Sequence, residues 1–579
     1  MSSFNMLSKE KNILQMNRVT WIEIILIVLV VFVIYRNSVN APFVYDDIPN
    51  IVENSDIKQL SNIKTKIITN NRMFTFLTFC LNYHFSKLNT YGYHLFNVII
   101  HIITTILLFF LVKKMIYFSY NKVSNFFPFF VSIIFAVHPV NTEVVSYIYN
   151  RSSSLSTMFY ILSILLFIKK VISNNQSSNL YLLFSIISFI CSLLSKQSAV
   201  TLPLILLIFD YIFLSDFKIG KVIEKKCYHI QYWIVLFIFL VLQIFYFEKT
   251  PESAVITERT ATGIQYILTQ PWIIIKYLQL LFLPTGLCID HQIKAVKTIF
   301  QIKAIIPILV LLGIFVITWI IYKRKTGNSK IVLFSILWFF ITLIPTNIFI
   351  VHVGERHLYL SGIGFYLILV TVLFIVLRKE LFITHNWVLV FIMVIYGLIL
   401  GILAVNRNKL YNNPVLLWSD VISKYPDNLM AYNNRATLYG MNGEYDKVIS
   451  DCETAIKINP NYLKSYINRG NAYFMKKEFG KAISDYTKVI EINPNLTDAY
   501  FNRAVVYFNI GEYNKSIQDY TQVIKINPEY IKAYINRGYA YYNNRQYKEA
   551  LQDFIKLESM GYKIDSQFMD NLHKHVNRN

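Results

Sequence analysis

Apolar stretches long enough to cross a bilayer recur from residue 19 to residue 405, and nothing else in the chain constrains its fold as strongly. A hydrocarbon core about 30 Å thick is crossed by about 20 apolar helical residues. Inside it every backbone N–H and C=O must find a partner within the protein, so such runs fold as helices. Spans are expected at 19–35, 94–112, 126–138, 152–168, 179–195, 198–214, 231–247, 303–321, 331–350, 358–377 and 386–404. The third is short, and residues 139–150 after it are expected to lie along the interface. Segment 271–283 (PWIIIKYLQLLFL) is also short, carries Lys276 and runs into Pro284, which marks it as re-entrant or interfacial. No small-residue cleavage site follows the first run, so it reads as a retained helix and not as a signal peptide.

The composition agrees. Hydrophobic residues make up 55% and charged residues 16%, where a soluble protein carries about a quarter charged. The formal net charge is +22, but residues 415–579 hold 21 Lys and Arg against 18 Asp and Glu. The basic excess therefore belongs to the membrane half, where it fits cytoplasmic anchoring charge and not nucleic-acid binding. Cys80, Cys191, Cys227, Cys288 and Cys452 are scattered without a CxxC pair, so neither a zinc site nor a disulfide framework is indicated.

Positive charge sets the orientation. Lys9, Lys11 and Arg18 precede the first span. Lys113-Lys114, Lys169-Lys170, Lys218 with Lys221, Lys225 and Lys226, Lys323-Arg324-Lys325 and Arg378-Lys379 fall on the same side if 271–283 does not cross. That side is cytoplasmic. An odd number of crossings then places the C-terminal part outside, together with the long segments 36–93 and 248–302.

The C-terminal part keeps a 34-residue beat. Pro426, Pro460, Pro494 and Pro528 follow it, as do Ala431-Tyr432, Ser465-Tyr466, Ala499-Tyr500 and Ala533-Tyr534, and Glu444, Glu478, Glu512 and Gln546. Small and aromatic residues at fixed offsets with a closing Pro make the tetratricopeptide (TPR) pattern. Each unit is a helix pair that buries its apolar face by stacking on the next. The expected organisation is a cytoplasmic N-terminus at 1–18, a transmembrane domain at 19–405, a linker at 406–426, four repeats at 427–562 and a tail at 563–579. One column adds to the packing pattern: Asn434, Asn468, Asn502 and Asn536 each precede an Arg. An amide both donates and accepts, so a stacked column suits pairing with an extended peptide backbone; alternatively, the amides brace neighbouring helices. The column resembles the asparagine ladder of the nucleocytoplasmic O-GlcNAc transferase superhelix.

Several polar residues fall at the outer ends of otherwise apolar helices. They are Asp46 and Asp47 in FVYDDIPN, Arg72, His138 and Glu143 in HPVNTE, Asn150-Arg151, Lys196-Gln197, and Glu355-Arg356 in GERHLYL. Ionisable groups near the hydrocarbon boundary are costly, and their gathering on one side marks a functional site. Taken singly, each has a plainer reading: a snorkelling anchor for an Arg or Lys, a helix-terminus hydrogen bonder for His138, an internal ion pair for Glu355-Arg356.

FVYDD after the first span, then HPVNTEVVSYIYNRSSSLS, LLSKQSAVTLPLILLIFDY and GERHLYLSGIGFYL, then an RN-containing linker and TPRs, resemble the transmembrane and tetratricopeptide repeat-containing O-mannosyltransferases. That family belongs to the GT-C glycosyltransferases. The resemblance runs from about residue 19 to 562, and the repeat style looks bacterial. Arg72-Met73-Phe74 stands where such proteins tend to show Arg-Pro-Leu.

The resemblance implies an all-α protein, a GT-C-type helix bundle of about eleven spans followed by an α-solenoid. It implies transfer of a hexose, mannose in that family, from a polyprenyl-phosphate sugar to Ser or Thr of a protein. Asp46 or Asp47 would act as base on the acceptor hydroxyl. Arg356, Arg151 and Lys196, with His138 as helper, would meet the lipid phosphate, which an Arg fork suits. Glu143, Glu355 and Arg72 would support them, and the TPR groove would receive the acceptor or a partner. No resident cofactor is implied, and one Asp-Asp pair does not assign a metal. The membrane would be the plasma membrane in a bacterium or the endoplasmic reticulum in a eukaryote, with the repeats extracytoplasmic. Transfer to a lipid or polysaccharide remains an alternative. So do a membrane-anchored TPR scaffold and a transporter, although a scaffold needs only one anchor helix.

Overall fold

The computed structural model describes residues 18–59, 70–122, 125–173, 178–245, 263–347, 353–376 and 387–578. Lys9, Lys11 and Arg378-Lys379 lie outside the described residues. The chain divides into two units, Met1–Asn413 and Pro414–Asn579. The described residues form helices joined by turns and irregular segments, with no strand, and their one β-bridge pairs His291 with Val353.

In the first unit the helices are α1 (Arg18–Tyr35), α2 (Met73–Ser86), α3 (Thr90–Tyr120), α4 (Phe126–Val137), α5 (Thr142–Ser146), α6 (Arg151–Ile172), α7 (Ser178–Leu193), α8 (Leu202–Phe209), α9 (Lys226–Phe245), α10 (Gly263–Phe282), α11 (Ile302–Arg324), α12 (Gly327–Asn347), α13 (Leu358–Val376) and α14 (Trp387–Tyr411). Among the described residues nine segments are long and apolar enough to cross a membrane, and α4 with the helical turns after it, bent by 51°, makes a tenth if the bent pair is one span. The remaining expected span, at 179–195, is the shorter α7. This is a multi-pass membrane protein. Segment 271–283 belongs to α10, a 20-residue helix that continues through Pro271 and is not among the candidate spans.

Residues 139–150, expected along the interface, fold into the bundle as short turns, with Val140, Glu143, Val144 and Ile148 fully buried. Pro139 ends α4 because it offers no N–H to the ladder, and the 51° bend turns the segment inward.

The α6–α7 hairpin shows how a polar seam can hold helices together where apolar side chains gain little over lipid. Ser156 faces Ser192 (3.2 Å), Ser163 faces Ser185 (3.1 Å) and Lys170 Nζ donates to Ser178 Oγ (2.9 Å). These positions recur every seven residues on both helices, so one antiparallel face carries all three contacts. Ser192 and Ser163 also donate to carbonyls of the opposite helix, at 2.7 and 2.8 Å. Between α12 and α13, a Cβ added at Gly364 would sit 3.0 Å from Phe339 N, so the two backbones approach too closely for a side chain there.

The second unit is the solenoid. Its first helix, α15 (Pro414–Lys424), lies in the stretch expected to be a linker. α14 continues to Tyr411, so little of 406–426 is a connector. The 34-residue register explains α15: Trp418 precedes Cys452, Tyr486, Tyr520 and Phe554 in one column, and it is buried as they are. Four helix pairs follow, α16–α23, from Leu429–Met441 to Tyr547–Ser559. The tail forms α24 (Ser566–Arg578), which packs Met569 and Leu572 onto Phe554 and Leu557.

Each repeat carries an ion pair that the consensus pattern does not announce. Arg435, Arg469, Arg503 and Arg537 each reach an Asp sixteen residues on (Asp451, Asp485, Asp519, Asp553) through two bonds of 2.7–2.9 Å. The planar fork suits this bidentate geometry and ties the two helices of a repeat. Ser419, Thr487 and Thr521 accept the third nitrogen from the preceding helix, at 2.9–3.0 Å. The paired Asp485 and Arg469 both titrate upward, the carboxyl by burial and the guanidinium by the bond to Asp485.

Candidate functional site

The loop after α1 is stretched across the start of α3. His94 Nε2 donates to Ala41 O (3.0 Å). Tyr45 then adopts φ +46°, a left-handed conformation that costs a non-glycine residue about 1–2 kcal/mol. Strain of this kind persists only where surrounding contacts hold it. Here the holding group is Asp47. Its side chain is fully buried, Oδ2 accepts from Val44 N (2.9 Å) and Oδ1 from Tyr149 N (2.8 Å). Burial pushes the Asp47 carboxyl up to about 8, against those two N–H donors and with the Asp46 charge adding to the rise. Asp46 is half-buried, and its N–H donates to Tyr147 Oη (2.9 Å). The two neighbouring carboxylates therefore differ: one braces the loop internally, and the other keeps part of its surface open.

The buried turns at 138–150 connect this loop to the GERH segment. His138 caps its turn: Nδ1 accepts from Val140 N (3.3 Å) and Nε2 donates to Leu281 O (3.0 Å). It is buried, so the helix-terminus reading describes its place. Glu143 is fully buried and receives Asn150 Nδ2 on Oε1 (3.1 Å) and Arg356 N on Oε2 (2.9 Å). The Arg356 guanidinium approaches Glu143 to 3.6 Å and is 33% exposed. Glu355 is held by partners from two other segments of the chain. It accepts from Cys288 N (2.7 Å) and His291 Nε2 (3.0 Å) on Oε1, and from Arg407 Nη2 (2.7 Å) on Oε2.

Arg151 lies deeper than an open phosphate site requires. It has no exposed surface; Nε donates to Asn97 Oδ1 (2.7 Å), Nη2 to Tyr93 O (3.0 Å) and Nη1 to Thr78 Oγ1 (3.3 Å), and it stacks on Phe79 and Phe96. Arg151 thus ties α2 and α3 to α6. Lys196 is half-buried and donates to Ser153 Oγ (2.7 Å). Phe74 N donates to Leu194 O (3.1 Å) and Thr75 Oγ1 to Ser195 O (3.3 Å), which brings the start of α2, and with it half-buried Arg72, to the turn that holds Lys196.

The structure thus brings Asp46, Asp47, Glu143, Arg356 and Glu355 together around 138–150, with Lys196 and Arg72 on the flank beside Arg151. Tyr147, His291, Arg407 and Asn408 belong to the same assembly. Tyr147 is buried and lies within electrostatic reach of Asp46, Asp47 and Arg356. Among the described residues no group of three or more His, Cys, Asp or Glu side chains is arranged to hold a metal ion.

The opposite end of the bundle collects the lysines. Lys113 Nζ and Asn125 Nδ2 donate to Thr20 Oγ1. Tyr120 meets Asn328, Lys330 pairs with Asp216 (2.7 Å), and Lys325 lies over Phe217. Buried Asp210 holds Ser215, Lys225 and His229, and Lys170 lies over Tyr228.

In the solenoid the asparagine column is partly committed. Asn468 Nδ2 donates to Asn433 Oδ1 (2.9 Å) of the preceding repeat, and Asn536 Nδ2 to Tyr520 Oη (3.2 Å). Asn434 Nδ2 is buried without a partner. All four side chains are half-buried.

Tetratricopeptide-repeat models match residues 430–462, 463–496, 497–530 and 519–552. Over 453 residues, 73% of this chain, the sequence is 25% identical to "Protein O-mannosyl-transferase F38B6.6" of Caenorhabditis elegans. Over 162 residues, 25% of this chain and 17% of the relative, it is 35% identical to the human protein O-mannosyl-transferase TMTC3. The chain is thus similar in sequence to protein O-mannosyl-transferases, over most of its length for one relative and over a quarter for the other. The match spans 61% of the length of the Caenorhabditis elegans relative. Among solved structures it is similar to the crystal structure of MamA, at 26% identity over 27% of this chain and 92% of that one, with a TM-score of 0.25.

Proposed function

We propose that the chain is a membrane glycosyltransferase that moves mannose from a polyprenyl-phosphate sugar to Ser or Thr of a polypeptide on the extracytoplasmic side. The observation that carries this is the meeting of the Asp46-Asp47 loop and the GERH segment on the buried turns 138–150, at the bundle end opposite the lysine clusters. Asp46 is the base. Its carboxylate takes the proton of the acceptor hydroxyl as the oxygen bonds to sugar C1. The C1–O bond to the lipid phosphate breaks with its electron pair, and the configuration at C1 inverts. Arg356 meets the departing phosphate, and Lys196 with Arg72 offers further positive charge on the flank. Asp47, Glu143, His138 and Arg151 position these groups. The lysine-rich end facing the cytoplasm follows the rule for positive charge, which supports an extracytoplasmic site and extracytoplasmic repeats. The name shared by the relatives supports protein as acceptor, and the solenoid supports a peptide or partner bound through the repeats.

The test is turnover by purified full-length protein given radiolabelled polyprenyl-phosphate mannose and Ser/Thr-rich polypeptides. Label in the polypeptide with wild type and its loss with Asp46→Asn is the expected pattern. Label that enters lipid only would move the acceptor to the lipid class, and no transfer from any polyprenyl-phosphate sugar would remove the reading.

A further inference from the structure

We propose that a small cavity at the C-terminal end of α2, on the side of the bundle that carries the Asp46 loop, is a headgroup site for the phosphate of an anionic phospholipid. This goes beyond the transfer reaction and does not depend on it.

The cavity holds about 190 Å³ and is lined by Ile57, Lys58, Cys80, Tyr83, His84 and Lys87. Ile57 and Cys80 are buried and continue into the apolar cluster of Ile51, Phe79 and Ile148 beneath the Asp46 loop. Lys58, His84 and Lys87 are exposed. Lys58 ends the single helical turn Ser55–Lys58, and the other two belong to the end of α2. Among the described residues none of these three side chains pairs with a carboxylate, whereas the solenoid's Lys447 and Lys481 each pair with a glutamate. Asp56 lies within electrostatic reach of the Cys80 thiol, so two ammonium groups and an imidazole stand against one acid. Sites that enclose a drug-sized ligand measure about 300–1,000 Å³. The smaller volume here suits a compact anion whose remainder stays outside.

Lys87 is fixed where it stands. It takes a positive φ of 49°, which a residue with a side chain rarely adopts and which persists only where neighbours hold it. Its N–H donates to Tyr83 O (2.8 Å), its carbonyl accepts from Tyr93 Oη (2.9 Å), and its ammonium lies over the Tyr83 ring at 5.2 Å. The membrane supplies the ligand class. The stretch of α3 from Tyr91 to Lys113 rises about 33 Å at about 1.5 Å per residue, close to the hydrocarbon thickness of about 30 Å. With Lys113 and Lys114 at one interface, Tyr91 stands at the other, the level of the lipid phosphates and the level that Tyr favours. Phe85, 80% exposed, and the exposed Leu81 and Leu88 add apolar surface at the same end of α2. Cations at headgroup level beside side chains suited to acyl chains match a lipid phosphate and not a soluble one.

The experiment uses full-length protein in detergent and the rate at which sulfo-NHS acetate modifies individual lysines, read by mass spectrometry. Phosphatidylglycerol is expected to slow modification of Lys58 and Lys87 and to leave the exposed Lys447 of the solenoid unchanged. The lipid concentration at half protection gives an apparent Kd. Lys58→Gln, read on Lys87, is expected to raise it about fivefold, the share of one cation near a membrane surface, and Lys87→Gln, read on Lys58, likewise. Both lysines are exposed, so neither variant threatens the fold. Equal protection by phosphatidylcholine would show mere coverage by the lipid shell and overturn the proposal, as would an apparent Kd unchanged in both variants. Protection by inorganic phosphate without lipid would make this a free-anion site, and protection by polyprenyl phosphate where phosphatidylglycerol gives none would assign it to the sugar donor's lipid; either result overturns the phospholipid assignment. No arm reads transfer activity, so failure of the glycosyltransferase reading would leave this result standing.

Discussion

Asp46 and Asp47 are adjacent and chemically identical, yet their surroundings assign them opposite sensitivities. Asp47→Asn keeps the size of the side chain but replaces one oxygen by an NH₂ group. That group then faces either Val44 N–H or Tyr149 N–H, donor against donor, in a site without solvent exposure. Leaving one buried donor unsatisfied costs about 1–3 kcal/mol, and Asp47→Ala, which leaves two, about twice that. The strained Tyr45 would relax with it, because the loop loses the group that closes it. Asp46→Asn keeps the backbone N–H that links it to Tyr147, and its half-buried side chain gives it a smaller effect on stability than the fully buried Asp47. It should lower turnover on the order of 10²-fold or more, as expected for removal of a general base. The assay is thermal unfolding in detergent beside turnover with polyprenyl-phosphate mannose, on both variants. Wild-type thermal stability of Asp47→Asn would refute the bracing role. Near-normal turnover of Asp46→Asn, with turnover lost in a stable Asp47→Asn, would exchange the two roles. A pH series adds an independent sign. Because the folded carboxyl of Asp47 is raised to about 8, the Asp47→Asn comparison above is made above pH 8, where both oxygens accept; at lower pH the folded state holds a proton there that the unfolded chain releases near pH 4. Its contribution to stability is complete below the unfolded value and is lost as pH rises through about 8, and Asp47→Asn should flatten that slope.

Cysteines placed in the turns of the repeats should react with a membrane-impermeant thiol reagent in intact cells; labelling only after permeabilisation would place the repeats in the cytoplasm. Arg356→Lys keeps the charge and loses the fork, so donor affinity should fall less than in Arg356→Ala; wild-type donor binding by Arg356→Ala would return that residue to a structural role beside Glu143. Replacing Asn468, Asn502 and Asn536 by Ala should raise KM for a long polypeptide acceptor and spare kcat. Because Asn468 and Asn536 also brace the solenoid, a lower unfolding temperature with unchanged KM would leave bracing as their whole role. Gly364→Leu should destabilise the bundle, because its side chain meets the α12 backbone, and thermal stability equal to wild type would show that α12 and α13 can separate.

Helix type and the repeat were legible in the sequence because the bilayer imposes a length and because the solenoid imposes a period. All eleven expected spans fall on helices, and the repeat register accounts even for α15, since Trp418 occupies the column of Tyr486 and Phe554. It was read as linker because half a repeat has no second helix to confirm its phase. Within 139–150 the sequence did not show how deeply the polar residues sit: Asn141, Glu143 and Asn150 are buried because the turns around them supply partners. For the site, hydropathy located charged residues against apolar surroundings, and so found Asp46, Asp47, Glu143 and Glu355-Arg356. It did not find His291 or Tyr147, which lie in segments where a polar residue is unremarkable, and it treated Arg407 as part of a linker. Nor did it separate Arg151, fully enclosed by α2 and α3, from Arg356, a third exposed. Pairing across long sequence distances decides such matters: Glu355 meets a partner 52 residues away and Glu143 one 213 residues away. The same two pairings imply that the GERH turn responds to both the inner turns and the end of the last span. A charge change at any one of Glu143, Glu355 and Arg407 is therefore expected to redistribute the other two before it alters the fold.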